Sequence, residues 1–223
     1  MRTLAILPVK SFAAAKQRLS PALDDDSRSL LAQAMFADVL AALRLVPGLD
    51  AVAVVTGDAA AEAAAREAGA TVLPDTEEAG QSAAASIGIS HALSAGFERV
   101  LLVPGDTPLL DPGEVEALLA ARRPVTIVPD RHGSGTNALL LRPPDAIAPG
   151  FGPGSLERHV RAADAAGARA AVEEVPTIVL DVDTGDDLSA LLAALAEWPD
   201  RAPATRLALR RLERRPRDPA VPA

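Results

Sequence analysis

The chain has 223 residues with no cysteine, 49% hydrophobic and 2% aromatic residues, and a formal net charge of −8. The length fits one large α/β domain with or without an appended tail, and the lack of cysteine excludes disulfides and thiolate metal sites. No stretch approaches the roughly 20 apolar residues that span a bilayer and no signal peptide is visible, so we expect a cytoplasmic protein without a membrane partner.

Charge is distributed unevenly along the chain. Seven of the 22 Lys and Arg residues lie in the last 23 residues, which leaves a net charge of −13 on residues 1–200. Such an acidic body argues against a nucleic-acid surface and suits metal ions that bridge to a small anionic substrate. We expect one domain over residues 1–200 and a flexible Arg- and Pro-rich C-terminal tail over 201–223.

Apolar runs of strand length alternate with longer helical patterns, and the runs are continuously apolar, as in strands covered on both faces. The predicted strands are Leu4–Val9, Ala51–Thr56, Thr71–Pro74, Arg99–Pro104, Val125–Pro129, Asn137–Arg142 and Thr177–Asp181. The predicted helices are Ser27–Val46, Ala59–Ala68, Ser82–Ala95, Pro112–Ala121, Ser155–Ala166 and Gly185–Glu197. Two predicted strands follow one another directly near residue 130. The pattern predicts a single doubly wound α/β sheet, mostly parallel with one antiparallel strand.

The loop after the first predicted strand contains the only two lysines of the chain, Lys10 and Lys16, together with Arg18. In an open α/β sheet, ligands bind outside the carboxyl ends of the strands. Compact ammonium groups and an Arg in such a loop are suited to a polyphosphate. From position alone, a solvated loop is an equally good interpretation.

Two further strand ends carry carboxylates. Gly105 and Asp106 follow the fourth predicted strand, and the glycine lets the backbone approach a ligand closely. Asp181 and Asp183 follow the last predicted strand, and residues i and i+2 of an extended segment share a face. Because adjacent like charges are costly without a cation between them, Asp106, Asp181 and Asp183 suggest an Mg²⁺ site. An acidic cap and a turn-forming Asp are the alternatives.

Two glycine-rich segments complete the candidate site. The first runs over residues 130–138 and ends in Thr136-Asn137-Ala138, but its glycines precede a strand and so do not form a dinucleotide fingerprint. The second, Phe151-Gly152-Pro153-Gly154-Ser155, opens a predicted helix and could bind phosphate through backbone N–H groups, although Ser155 could simply be an N-cap. The three histidines show no metal-ligand spacing, and we interpret His91 and His159 as helix-face residues.

Together these motifs resemble one family. The motifs are Pro8-Val9-Lys10, Ala15-Lys16-Gln17-Arg18-Leu19, Pro104-Gly105-Asp106-Thr107-Pro108-Leu109-Leu110, Pro129-Asp130-Arg131, Gly135-Thr136-Asn137-Ala138-Leu139, Phe151-Gly152-Pro153-Gly154-Ser155 and Asp181-Val182-Asp183-Thr184. They resemble, in order, the phosphoenolpyruvate / 2-phospho-L-lactate guanylyltransferases of deazaflavin coenzyme (factor 420) biosynthesis. The chain departs from the pattern expected for this family at Gly80-Gln81-Ser82, where Gly-Leu-Asn is expected, so the identity of the base stays open.

The resemblance implies a GT-A-like nucleotidyltransferase fold and transfer of GMP from GTP to a small phosphorylated three-carbon acid, with release of pyrophosphate. The resemblance implies that Asp106, Asp181 and Asp183 hold Mg²⁺ and that Thr136, Gly152 and Ser155 bind the acceptor. The nucleotide would be bound by Lys10, Lys16, Arg18, Gly80 and Gly105, of which the two lysines, with Asp106, would also be catalytic.

No catalytic nucleophile is needed for such a reaction, because the acceptor's phosphate is already ionised and the protein has only to position it and neutralise charge. The acceptor is expected to be phosphoenolpyruvate, with 2-phospho-L-lactate and 3-phosphoglycerate as alternatives. A molybdenum-cofactor-type or sugar-phosphate nucleotidyltransferase and a non-catalytic nucleotide-sensing module are further alternatives. A transient contact with the enzyme that uses the product is also expected.

Overall fold

A computed structural model describes residues 1–214, which form one seven-stranded sheet flanked by helices. The strands are β1 Thr3–Val9, β2 Ala51–Thr56, β3 Thr71–Pro74, β4 Arg99–Leu102, β5 Val125–Pro129, β6 Thr136–Leu141 and β7 Ala170–Val172. The helices are α1 Asp25–Leu43, α2 Ala59–Glu67, α3 Gln81–Ser94, α4 Pro112–Leu119, α5 Ser155–Ala165, α6 Gly185–Glu197 and α7 Pro203–Glu213, with a short 3-10 helix at Gln17–Leu19.

The strand order in the sheet is β3-β2-β1-β4-β6-β5-β7. β1, β2, β3 and β4 run parallel, β7 runs parallel to β5, and β6 is antiparallel to both of its neighbours, β4 and β5. The predicted doubly wound, mostly parallel sheet with one antiparallel strand is therefore confirmed. The antiparallel strand follows from the short connection over residues 130–135, which has room for a hairpin and none for a crossover helix.

Both faces of the sheet are buried, and the sequence of β1 shows why. Leu4 and Ile6 point to the face covered by α3 and α5, whereas Ala5 and Leu7 point to the face covered by α1, α2 and α4, and all four are inaccessible to solvent. The lack of a side chain at Gly88 lets α3 approach the sheet closely, since an added Cβ would lie 2.4 Å from Ile6 Cγ2. A continuous apolar run therefore packs against helices on both faces of the sheet.

The helices begin at short polar side chains. Asp24, Asp58, Asp111 and Thr184 each accept a hydrogen bond from a backbone N–H of the helix they cap. This satisfies donors that have no partner within the first turn. Over residues 1–214, none of the helices combines the length and the apolar content needed to cross a membrane.

The direction of winding reverses between β1 and β4, which are adjacent in the sheet although β2 and β3 come between them in the chain. The loops at the carboxyl ends of two adjacent parallel strands border a crevice at such a switch point. The loop after β1 contains Lys10 and Lys16, and the loop after β4 contains Gly105 and Asp106. The topology therefore brings two loops to one crevice: the loop with Lys10 and Lys16, which we call the lysine loop, and the loop with Gly105 and Asp106.

The predicted strand Thr177–Asp181 is wrong. Its residues form turns, because Ile178 N donates to Val175 O and Glu114 holds both the backbone N–H and the hydroxyl of Thr177. Val175 and Ile178 are still buried, so the apolar run packs on the sheet without pairing in it. The place beside β5 is taken by β7, a three-residue strand that the sequence interpretation missed.

The C-terminal segment, which we expected to be a flexible tail, is helical and packed against the domain as far as the structure describes it, up to residue 214. α7 contacts α1, with Thr205 and Ala208 buried, and the carboxylate of Asp38 in α1 accepts hydrogen bonds from Ala204 N at 3.0 Å and Thr205 N at 2.7 Å. Residues 203–213 therefore do not form a mobile end, because their N–H groups are capped by a buried side chain of another helix. Residues 215–223 of the expected tail lie outside the described residues.

Candidate active site

A cavity of about 440 Å³ opens at the crevice between β1 and β4. It is lined by the lysine loop, the segment after β3, the first turn of α3, the loop after β4 and one residue of the segment before α6. Of the predicted site residues, those in the lining are Lys10, Lys16, Gly80, Gly105, Asp106 and Asp183. The wall also includes Asp75 and Glu78 from the segment after β3, which were not among the predicted site residues.

Lys16 lies at the centre of the site, with its side chain only 8% exposed. Its ammonium group is hydrogen-bonded to Asp106 Oδ2, and Nζ lies 2.8 Å from Asp183 Oδ1. Burial alone would lower the pKa of Lys16, but the carboxylates of Asp106 and then Asp183 raise it above its ordinary value. The lysine is therefore charged and joins two chain segments that are far apart in the sequence.

Asp181 lies beside this ion pair but does not line the cavity. Asn137 Nδ2 donates to its Oδ1 at 3.2 Å and to Ile178 O at 2.8 Å, so the start of β6 holds the segment before α6. Burial, the nearby carboxylate of Asp106 and, to a smaller extent, that of Asp183 raise the pKa of Asp181 to about 6. The three carboxyl groups are therefore within electrostatic reach of one another, as the sequence suggested.

The backbone reinforces the same convergence. Val182 N donates to Asp106 O at 3.2 Å, which directly joins the segment before α6 to the loop after β4. Asp187 then accepts hydrogen bonds from the N–H groups of Asp183 and Thr184 and forms an ion pair with Arg131 at 2.6 Å. Asp187 therefore fixes the backbone that presents Asp183.

The three carboxylates offer a divalent cation an incomplete set of ligands. Within residues 1–214, no three His, Asp or Glu side chains are grouped as a ready-made metal site, and the ammonium of Lys16 lies between Asp106 and Asp183. Oδ1 of Asp106, however, is buried without a hydrogen-bond partner. A hard cation prefers carboxylate oxygens of this kind, so the donor set fits Mg²⁺.

The lysine loop is held from the end of β2. Oδ2 of Asp58 accepts a hydrogen bond from Phe12 N at 2.9 Å while its Oδ1 caps α2. The ring of Phe12 is buried against Phe36, with 5.7 Å between the ring centroids. Lys10 lines the cavity and is exposed, whereas Arg18 is exposed on the 3-10 helix outside the lining. The structure thus separates Arg18 from the two lysines.

Two acidic residues in the cavity wall were missed. Asp75 and Glu78 follow β3, and Asp75 is nearly buried, with its Oδ1 accepting from Glu78 N at 3.1 Å. Gly80, next to them, has a φ of +105°, a conformation that favours glycine. Their position after a predicted parallel strand was the signal that could have found them, since every such strand end lies at this edge of the sheet.

Thr136, Gly152 and Ser155 form a neighbouring cluster rather than part of the cavity lining. Thr136 and Ser155 are buried, and Gly152 has a φ of +107°. The N–H groups of Ser155 and Leu156 already donate to Gly152 O at 3.0 Å and Ser134 O at 3.2 Å. The amides at the start of α5 that the sequence offered for phosphate are therefore partly used within the protein.

His159 holds this cluster together. Its Nδ1 lies 3.0 Å from Thr136 Oγ1, and Gly150 N donates to its Nε2 at 2.9 Å. Burial and the nearby Arg158 guanidinium lower the pKa of His159 to about 4, so the ring is neutral. The sequence interpretation treated His159 as a plain helix-face residue; its i+4 spacing from Ser155 was the signal that it shares a helix face with a proposed ligand residue.

The fold is shared with nucleotidyltransferases of known structure. A protein from Desulfovibrio desulfuricans described as a nucleotide-diphospho-sugar transferase is similar with a TM-score of 0.77 and 18% identity, covering 96% of both chains. A nucleotidyl transferase from Methanothermobacter is similar with a TM-score of 0.65 and 17% identity, covering 88% of this chain and 98% of its own. At such identity the likeness concerns the fold.

Sequence comparison identifies the family. The model of the "Guanylyl transferase CofC like" family matches residues 3–195, so the chain belongs to that family. A phosphoenolpyruvate guanylyltransferase from Conexibacter woesei is 48% identical over 218 residues, covering 96% of this chain and 98% of the relative. One from Rubrobacter xylanophilus is 42% identical over 197 residues, covering 87% and 95%. The family predicted from the ordered motifs is thereby confirmed.

Proposed function

We propose that the chain transfers GMP from GTP to the phosphate of phosphoenolpyruvate, releasing pyrophosphate and forming enolpyruvyl-diphosphoguanosine. The observation that carries the proposal is the position of Lys16, held between Asp106 and Asp183 in the crevice beside β1. The names of the relatives from Conexibacter and Rubrobacter support the choice of nucleotide and acceptor. 2-Phospho-L-lactate and 3-phosphoglycerate are the alternative acceptors for the same chemistry.

The lysine loop is proposed to bind the triphosphate. Lys10, exposed at the rim, and Lys16, which lies deeper, supply two positive charges to the same cavity. In phosphoryl transfer, charge accumulates on the leaving pyrophosphate, and a positioned ammonium group stabilises it most in a site that excludes water. Lys16 is already desolvated and needs only to exchange a carboxylate for a phosphate partner.

The acceptor is proposed to bind beside Thr136, Gly152 and Ser155, with its phosphate aimed at the α-phosphorus of GTP. The cluster joins the nucleotide cavity through Ser82, whose hydroxyl accepts a hydrogen bond from Phe151 N at 2.9 Å and which follows the cavity residue Gln81. An ionised phosphomonoester oxygen needs no general base, so the task of these residues is in-line placement.

Asp106, Asp181 and Asp183 are proposed to hold Mg²⁺. When bound, the ion would neutralise phosphate charge and orient the triphosphate. The unpartnered Oδ1 of Asp106 supports this assignment. Asp187 and Arg131 then act indirectly, because they keep the backbone at Asp183 in place.

The base is proposed to be guanine, read by acceptor groups in the wall after β3. The Watson–Crick edge of guanine presents adjacent N–H donors, and the carboxylates of Asp75 and Glu78 offer only acceptors. Both residues line the cavity together with Gln81. Adenine lacks that pair of donors, so these carboxylates favour guanine.

Pyrophosphate release tests the proposal. The purified chain is incubated with Mg²⁺, each of GTP, ATP and CTP, and each of the three acceptors in turn. We expect release with GTP and phosphoenolpyruvate, and loss of release when the Mg²⁺ is chelated. Release with ATP in place of GTP would refute guanine recognition, and no release with any pair would favour a nucleotide-sensing module.

The proposed product is a diphosphate-linked acid for biosynthesis of the deazaflavin coenzyme. Because such a product is reactive, we propose that the protein transiently contacts the enzyme that uses the product. We also propose that the protein is cytoplasmic. Co-purification of the two enzymes in the presence of GTP and phosphoenolpyruvate, compared with GTP alone, tests this contact.

A further inference from the structure

The side chain of His159 is buried and uses both ring nitrogens. It is inaccessible to solvent, faces Thr136 Oγ1 through Nδ1 and accepts from Gly150 N through Nε2. The ring of Phe151 stands edge-on to it, with 5.3 Å between the centroids and an interplanar angle of 74°. A histidine in this position is more constrained than packing on a helix face requires.

The hydrogen bond from Gly150 determines the tautomer. A backbone N–H can only donate, so Nε2 must be the bare, accepting nitrogen of a neutral ring. The proton is then on Nδ1, which donates to Thr136 Oγ1 at 3.0 Å. The low pKa of His159 agrees with a neutral ring.

This assignment fixes what Thr136 can do. Its oxygen accepts from His159, so its own hydroxyl hydrogen is left to donate to another group. Thr136 begins β6, and the next residue, Asn137, holds Asp181 beside the proposed metal site. A hydroxyl donor at this position suits the anionic oxygens of a phosphate or carboxylate.

His159 also anchors the loop that carries Gly152. It holds Gly150 N, while Arg158 donates to Gly150 O at 2.6 Å and to Pro153 O at 2.8 Å. Ser82 accepts from Phe151 N on the other side. The loop is therefore fixed at Gly150, Phe151 and Pro153, and His159 is the contact that couples it to Thr136.

We propose that His159 is a positioning residue for the acceptor: it turns the Thr136 hydroxyl into a dedicated donor and locks the loop over residues 150–154 around the acceptor's anionic group. The proposal rests on the proposed function, since it names what sets acceptor affinity at that site. His159 itself touches no substrate.

Two substitutions separate the roles of the two ring nitrogens. The amide of Asn reaches the position of Nδ1, so His159→Asn keeps a donor for Thr136 and loses the contact with Gly150. The amide of Gln reaches the position of Nε2, so His159→Gln keeps an acceptor for Gly150 and loses the donor to Thr136. His159→Leu removes both.

We expect His159→Gln to raise the KM for phosphoenolpyruvate about tenfold, with the KM for GTP within about twofold of the wild type. His159→Asn should recover most of that loss, and His159→Leu should be the weakest binder of acceptor. Equal changes in both KM values, or a better result for Gln than for Asn, would overturn the proposal.

A nitrogen-15 NMR measurement on the wild-type protein is independent of whether the variants fold. We expect His159 to show a protonated Nδ1 and a bare Nε2 near neutral pH, and the opposite tautomer would overturn the assignment. If no acceptor supports pyrophosphate release, the proposed function fails and the acceptor role fails with it. The NMR result then shows whether the geometry at His159 was nevertheless correct.

Discussion

The Nζ atom of Lys16 lies 2.8 Å from Asp183 Oδ1, although 167 positions separate the two residues in the chain. The contact exists because the loop after β1 and the segment before α6 meet at one crevice, where Asp106 O also accepts from Val182 N. In this arrangement a lysine lies between carboxylates that would otherwise repel one another. A polyphosphate bound in the cavity would compete with these carboxylates for the ammonium group.

Removal of either carboxylate should abolish most of the activity. Asp106→Asn or Asp183→Asn takes away a cation-binding oxygen and a partner of Lys16. We expect pyrophosphate release to fall by about 10²–10³-fold, the usual effect of losing one electrostatic contact at a reacting centre. Asp186→Asn is the matched control, since Asp186 is exposed in the first turn of α6. Near-normal turnover in both site variants would refute the proposed metal site.

The lysine should act on the nucleotide rather than on the acceptor. We expect Lys16→Ala to raise the KM for GTP by about tenfold or more and to leave the KM for the acceptor within about twofold, because a charge-assisted contact to phosphate is lost. Arg18→Ala, in the same loop but outside the cavity lining, should change both values little. A selective loss of acceptor affinity would mean that the two phosphate sites are exchanged.

His159 should make stability depend on pH in a defined direction. Its pKa is about 4 in the folded state against 6.5 ordinarily, so between these values the unfolded chain binds more protons and stability falls as pH falls from 6.5 to 4. The loss should reach about 3 kcal/mol. Asp181, with its pKa raised to about 6, acts in the opposite direction.

The two contributions are separated by comparing urea unfolding of the wild type and His159→Asn at several pH values. The difference in free energy of unfolding should shrink from pH 7 to pH 4, since only the wild type loses stability through this ring. A constant difference would contradict the buried neutral histidine.

Gly152 should tolerate no side chain. Its φ of +107° is strained for any other residue, although an added Cβ would meet no atom within 4 Å. We expect Gly152→Ala to cost about 1–3 kcal/mol in local strain and to raise the KM for the acceptor more than that for GTP. Gly185→Ala, also in open space but without a positive φ, is the control and should leave both KM values unchanged.

Asp38 should support the C-terminal helix. Asp38→Ala removes the acceptor of Ala204 N and Thr205 N, so we expect the free energy of unfolding to fall by about 1–2 kcal/mol in urea titrations. Activity measured well below the unfolding transition should stay near that of the wild type, because α7 packs away from the cavity. Gln33→Ala, exposed on α1, is the control. An unchanged stability would mean that α7 is not docked through Asp38.

Much of the fold could be predicted because the five central strands, β1, β2, β4, β5 and β6, are largely buried and several helices have a capping signal. Helix α6 was predicted with its observed bounds, and the antiparallel β6 followed from the missing crossover helix. The predicted strand Thr177–Asp181 does not form, because an apolar run can be buried by packing alone. Residues 170–172 pair with β5 instead.

The site was predicted in part for the same reason. Lys16 and Asp106 follow β1 and β4, so the order of the elements is enough to bring these two residues to one edge of the sheet. Asp183 was predicted from the strand Thr177–Asp181, which does not form, and its segment is joined to the site by the hydrogen bond from Val182 N to Asp106 O. Asp75, Glu78 and His159 carry weaker signals, and their roles depend on which neighbour each side chain faces. Arg18 illustrates the reverse case: it is close to Lys16 in sequence, yet it is exposed and remains outside the cavity lining.

The sequence by itself determined the alternation of elements, the carboxyl-end loops and the family, because hydrophobic periodicity and ordered motifs are local properties of the chain. Only the tertiary structure decided that the ammonium of Lys16 lies between two carboxylates, that His159 couples Thr136 to Gly150 and that α7 docks on Asp38. These contacts join residues that are not neighbours in sequence. Their partners are chosen by packing and burial, where an unpaired charge or donor is costly.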